Sequence, residues 1–167
     1  MASLPRIVAR PVPPVVDNDR RTIRRVLVAF DGSPGAWAAL DRGIAVAVGQ
    51  RALLTIAGVI QEPRAWTALG PAPMPFTRES LIKDLEREME QKLAAARDEV
   101  PATVSVTTRL LRGRPGPALA DLADEGDYDL VVAGPRPPGR LRRLLGGSVT
   151  HTLLSRAHTS VLAVKEP

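Results

Sequence analysis

The stretch Asp129-Leu-Val-Val-Ala-Gly134 runs into Pro-Arg-Pro-Pro-Gly-Arg-Leu-Arg-Arg-Leu-Leu-Gly and then into Gly147-Ser148-Val149. Its apolar start is typical of a strand buried on both faces of a parallel sheet. A basic loop rich in proline and glycine follows, and a Gly-Ser pair then opens a helix. Free amides at a helix start, a serine hydroxyl and nearby arginines are groups that bind phosphate. The arginines of this loop are Arg136, Arg140, Arg142 and Arg143.

Apolar strands and helices alternate along the rest of the chain. We predict strands at residues 26–30, 52–60, 103–111, 129–133 and 160–164, and helices at 36–48, 78–99, 115–123 and 148–156. This alternation indicates an α/β domain, with a parallel sheet covered by helices on both faces. Ligands bind such open sheets beyond the carboxyl ends of the strands. Asp31, after the first strand, and Gly134, after the fourth, fall at this predicted site.

The composition excludes several classes of protein and of binding site. The chain has 167 residues, no cysteine and a net charge of +5. Without cysteine, disulfides and thiolate metal sites are excluded. The chain has neither an apolar run long enough to span a bilayer nor a hydrophobic signal core, so we expect a cytoplasmic protein. Its two Phe, two Trp and one Tyr offer few base-stacking platforms, so nucleic acid is not an expected partner.

The distribution of charge and proline separates an N-terminal segment from the rest of the chain. Residues 1–25 hold six arginines and two aspartates, so most of the net charge lies in one terminal segment. We predict a mobile, basic, proline-rich arm at residues 1–24 and a folded domain at residues 25–167. Residues 61–77 contain four prolines and are predicted to form a long loop, of the kind that serves as a lid or a partner contact.

No catalytic residue is identified. Ser148 and His151 lie three positions apart on one predicted helix, but a serine nucleophile would need a strained elbow and an orienting acid, which the sequence does not supply. His158 falls in the turn before the last strand. Two separated histidines without a carboxylate cluster do not predict a transition-metal site.

The chain resembles the universal stress protein family. The resemblance covers about residues 25–164 and rests on Val26-Leu-Val-Ala-Phe-Asp31-Gly-Ser33, Gly113-Arg-Pro115, the strand ending at Gly134, Leu144-Leu-Gly-Gly147-Ser148-Val149 and residues 157–164. It implies an open five-stranded parallel sheet in the order 3-2-1-4-5, the adenine nucleotide alpha hydrolase-like fold. It also implies a homodimer paired through the last strand.

The resemblance further implies ATP as a ligand, with Mg²⁺ held mainly by the phosphates. Many family members bind ATP through a glycine, two residues, a second glycine, nine residues and then Gly-Ser or Gly-Thr. Gly134 and Gly147-Ser148 match the two ends of this motif. By resemblance, Asp31 lies near the ribose or phosphates. The other residues predicted to contact the nucleotide are Ala29, Val59, Ala133, Gly134, Arg136, Gly147, Ser148 and Val149.

The second glycine of the motif is replaced by Pro137. Proline has no amide hydrogen and fixes φ near −65°, so a phosphate contact at this position would be lost. Family members without these glycines do not bind ATP. Three functions therefore stay open: an ATP-binding regulatory module in stress response, a nucleotide-free protein-interaction module, and a slow ATPase.

Overall fold

A computed structural model of the chain describes residues 22–61, 78–135 and 149–165. The predictions made for residues 1–21, for the loop at 62–77 and for the segment 136–148 lie outside these ranges. The described elements are, in chain order, β1 (Arg25–Ala29), α1 (Pro34–Gln50), β2 (Leu53–Ile60), α2 (Arg78–Asp98), β3 (Val106–Arg112), α3 (Pro115–Glu125), β4 (Leu130–Ala133), α4 (Val149–Arg156) and β5 (Ser160–Ala163).

The five strands form one sheet in the order β3-β2-β1-β4-β5, and every neighbouring pair is parallel. This confirms the predicted α/β fold and its strand order. The chain leaves β1 toward β2 on one side, and later returns to place β4 on the other side of β1. The order thus reverses between β1 and β4, which is the place where a ligand crevice opens in such sheets.

The hydrophobic core lies in two layers, one on each face of the sheet. Successive residues of β1 point to opposite faces. Val28 therefore packs in the layer beneath α1 and α2 with Leu40 and Leu93. Leu27 packs in the layer beneath α3 and α4 with Leu119 and Leu153. The three central strands are buried on both faces, which explains their unbroken apolar runs.

The third strand begins later than predicted. Residues 103–105 carry the alternating, β-branched pattern of a strand, but pairing with β2 begins only at Leu54 opposite Val106. The reason is a turn, in which the Val104 amide donates to the Pro101 carbonyl over 2.9 Å. This bond uses the amide of Val104 locally, so the prediction of a strand from Thr103 was wrong by three residues.

Candidate functional site

The turn after β1 is fixed by its own side chains. Asp31 Oδ1 accepts a hydrogen bond from the Ser33 amide over 3.0 Å, and Ser33 Oγ accepts one from the Ala36 amide over 3.2 Å. Ser33 is therefore the N-cap of α1, and Pro34 occupies the first helical turn. Gly32 lies between them with φ of +80°, a conformation that favours glycine. The Asp31 carboxyl is held at the carboxyl edge of the sheet.

The end of β4 lies against the start of α1. A Cβ atom added at Gly134 would overlap the backbone of Gly35, and one added at Gly35 would overlap the Pro135 carbonyl oxygen. Only glycine at both positions allows the two backbones to approach so closely. Gly134 thus has a packing role that is independent of any ligand.

Three helices begin around one cleft at this edge. Residues from the first turns of α1, α3 and α4 line it, represented by Ala36, Pro115 and Val149. The starts of α1 and α3 carry the positive end of a helix dipole. Free amides are few there, because Pro34, Pro115 and Pro117 have no amide hydrogen and the Ala36 amide bonds to Ser33 Oγ. We call this space the carboxyl-edge cleft. Its polarity favours an anionic group.

The wall of the carboxyl-edge cleft is apolar and made largely of small side chains. Ala29, Ala57 and Ala133 come from the ends of three neighbouring strands, and Val59 and Leu119 lie beside them. Alanine leaves open the space that a larger side chain would fill at the strand ends. Among the described lining residues, Asp31 is the only ionisable side chain.

Six of the nine predicted nucleotide-binding residues line this one cleft. They are Ala29, Asp31, Val59, Ala133, Gly134 and Val149. The other three, Arg136, Gly147 and Ser148, lie outside the described residues. The structure therefore brings together residues from β1, β2, β4 and α4 that are far apart in the sequence. Their contacts with a nucleotide remain a prediction.

Sequence reasoning did not assign several further residues to the cleft. They are Phe30, Ser33, Ala36, Ala57, Pro115, Leu119, Pro135 and Thr150. Two of them gave a usable signal: Ser33 follows Asp31 in the first motif, and Pro115 ends the Gly113-Arg-Pro115 motif. The others are small or apolar residues whose place depends on how the helices pack on the sheet.

Of the two histidines considered as catalytic groups, His158 alone has a carboxylate partner among the described residues. His158 lies at the opposite edge of the sheet, where its Nδ1 is 3.0 Å from Asp124 Oδ2. His151 is exposed on α4. Within the described ranges, no three His, Cys, Asp or Glu side chains are grouped so that they could hold a metal ion.

The strand order and the cleft define a doubly wound α/β protein with a ligand crevice at its switch point. The sequence model of the Universal stress protein family matches residues 22–165. The chain belongs to this family. No helix in the described part of the chain is long and apolar enough to cross a membrane.

Relatives of similar length support this membership. The stress response protein NhaX of Bacillus subtilis is 30% identical over 163 residues, with 84% of this chain and 97% of the relative covered. The putative universal stress protein SH1215 of Staphylococcus haemolyticus is 30% identical over 148 residues, with 86% of each chain covered.

Solved structures agree with the fold. A universal stress protein crystallised in complex with cAMP is 29% identical and aligns with a TM-score of 0.64, covering 86% of this chain and 97% of its own. The hypothetical protein MJ0577 is 21% identical and aligns with a TM-score of 0.70, covering 87% and 98%. The second likeness concerns the fold alone.

Proposed function

We propose that this protein binds an adenine nucleotide, ATP with Mg²⁺, in the carboxyl-edge cleft and acts as a regulatory module in stress response. The observation that carries the proposal is the convergence of three helix starts on a cleft with a small apolar wall. The helix starts suit phosphates, and the wall suits an adenine ring. A cytoplasmic location and a homodimer paired through β5 are part of the proposal.

Asp31 is the group that we assign to the ribose hydroxyls or to a phosphate-bound Mg²⁺. Its Oδ1 is engaged by the Ser33 amide, which fixes the orientation of the carboxyl group. A carboxylate held in this way is pre-organised for a ligand, because its side chain loses less freedom on binding. The cAMP complex of a relative 29% identical supports an adenine nucleotide as the ligand class.

Isothermal titration with ATP–Mg²⁺ tests the proposal on the wild type and on Asp31→Asn. Asparagine keeps an oxygen for the Ser33 amide and removes the charge. We expect binding to the wild type, and an affinity about 10- to 100-fold lower in the variant, the range for one hydrogen bond to a charged group. Asp41→Asn, at an exposed position of α1, is the matched control and should bind normally. An absence of heat at millimolar ATP, and likewise at millimolar cAMP, would sink the proposal.

A nucleotide-free interaction module is the second candidate, and two observations favour it. Pro137 replaces the second glycine of the motif. The first glycine, Gly134, is explained by its packing against Gly35, which needs no nucleotide. Titration of Pro137→Gly separates the candidates, with Pro138→Gly as the control in the same loop. If the motif position contacts phosphate, the affinity of Pro137→Gly rises about tenfold or more, whereas that of Pro138→Gly does not.

A slow ATPase is the third candidate. Asp31 is the only ionisable group among the described residues of the cleft, and we assign it to binding rather than to proton transfer. We therefore propose no catalytic residue.

A further inference from the structure

A second cavity lies at the amino edge of the sheet, opposite the carboxyl-edge cleft. It is a groove of about 660 Å³ bordered by the starts of β1, β4 and β5 and by the end of α3. We call it the amino-edge groove. The residues that matter for its chemistry are Thr22, Ile23, Asp124, Asp127, Asp129 and His158.

The groove lies along the most acidic stretch of the chain. Residues 121–129 contain five acidic side chains and no basic one. The stretch ends α3, where the helix dipole also favours a cation. Arg25 approaches from β1, but its guanidinium lies over the Tyr128 ring, 5.2 Å from the ring centre.

Three of the five acidic groups in this stretch are already engaged, and within the described residues two are not. Asp121 Oδ1 lies 4.0 Å from a guanidinium nitrogen of Arg156. Asp124 Oδ2 lies 3.0 Å from His158 Nδ1, and Asp129 Oδ2 accepts from the amides of Arg24 and Arg25 over 2.8 Å. In the described part of the chain, no hydrogen bond or ion pair reaches the carboxyl group of Glu125 or Asp127. Among the described residues, Asp127 in the groove and Glu125, two positions before it in the sequence, thus carry negative charge that no described cation pairs with.

The basic arm starts from this groove. Thr22 and Ile23 line it, and the chain N-terminal to Thr22 carries Arg6, Arg10, Arg20 and Arg21 against two aspartates. Consecutive Cα atoms are about 3.8 Å apart, so the Cα atoms of Arg20 and Arg21 lie within about 8 Å of that of Thr22. An arginine side chain can bridge the remaining distance to the groove.

We propose that residues 1–21 dock into the amino-edge groove of their own chain, with Arg20 and Arg21 beside Asp127 and Glu125. The covalent link gives the arm a high effective concentration at the groove, so weak ion pairs suffice to hold it. Exposed ion pairs contribute little to folding stability. Removal of residues 1–21 should therefore leave the melting temperature nearly unchanged, and a direct probe of proximity is needed.

Because the chain has no cysteine, a single introduced cysteine can carry such a probe. A nitroxide attached to Ala9→Cys in the full chain broadens the amide resonances that it approaches. We expect several-fold stronger broadening at Asp127 and His158 than at Leu53. Leu53 is the internal reference. Its amide bonds to the Arg24 carbonyl, so it lies beside the start of β1 on the β2 side, whereas the groove lies on the β4 side. The excess of broadening at the groove over that at Leu53 should fall as salt is raised from about 50 mM to 500 mM, because added ions screen exposed charges.

The double variant Asp127→Asn with Glu125→Gln should abolish the preference for the groove. Asparagine is suited to Asp127, whose φ is 49°, so the backbone is preserved. Asp98→Asn, at the end of α2, is the matched control and should leave the preference intact. Equal broadening on both flanks, or a preference unaffected by the double variant, would overturn the proposal. Broadening seen only between a labelled chain and a separate isotope-labelled chain would overturn docking within one chain.

Discussion

Gly35 and Gly134 form a backbone-to-backbone contact that joins the start of α1 to the end of β4. A Cβ atom added to either residue would overlap the backbone of the opposing segment. The contact sets the distance between the two elements that form one side of the carboxyl-edge cleft. The cleft therefore depends on a packing relation that exists before any ligand binds.

Gly134→Ala should destabilise the nucleotide-free protein. We expect the free energy of unfolding to fall by about 1–3 kcal/mol, the range for an overpacked position. Urea denaturation without nucleotide measures this change. Gly49→Ala is the matched control, because nothing lies within 4 Å of a Cβ atom at this position of α1. This control should raise stability by about 0.5–1 kcal/mol, since alanine favours the helix. Equal stability of Gly134→Ala and the wild type would show that the contact is not tight.

The Asp124–His158 pair predicts a dependence of stability on acid pH. The hydrogen bond from the His158 side chain, followed by the bond from the His158 amide, holds the pKa of Asp124 below its ordinary value of 3.8. A lowered pKa in the folded state means that the carboxylate stabilises the fold above about pH 3.8. That contribution is lost as pH falls through the folded-state pKa.

Urea denaturation between about pH 5 and pH 2 measures this contribution. The wild type should lose more stability over this range than Asp124→Asn, which cannot titrate at this position. The effect should be small because the pair is exposed. Identical pH profiles of the two proteins would show that the pair does not stabilise the fold.

The edge strand β5 predicts the oligomeric state. Leu162 on β5 is 39% exposed, and Leu154 on the neighbouring α4 is 61% exposed. An exposed edge strand with apolar side chains favours pairing with another strand. We expect sedimentation analysis to find a dimer for the wild type and a monomer for Leu162→Glu. Leu53→Glu, at a residue that is 52% exposed on β2, is the control and should stay dimeric. A dimer that persists in Leu162→Glu would place the interface elsewhere.

The sequence predicted the order of elements and most of the cleft because both depend on local patterns. The apolar run of β1 and the Asp31-Gly32-Ser33 turn are readable from neighbouring residues, and the structure shows that Ser33 caps α1. The start of β3 was predicted three residues too early, because the Val104 amide bonds to the Pro101 carbonyl in a turn and not to a neighbouring strand.

The remaining features arise from contacts between distant parts of the chain. The packing role of Gly134 depends on Gly35, and the amino-edge groove depends on the meeting of β1, β4, β5 and α3. Neither relation leaves a periodic signal in the sequence. Both become visible only when the sheet is assembled.

Nucleotide binding in the carboxyl-edge cleft is tested by an amide-resonance titration of the full chain with ATP–Mg²⁺. We expect saturable shifts at Ala29, Asp31, Ala133 and Thr150, which line the carboxyl-edge cleft, and none at Asp127 or His158 at the opposite edge. An absence of shifts at millimolar ATP, or shifts confined to residues outside the cleft, would contradict it.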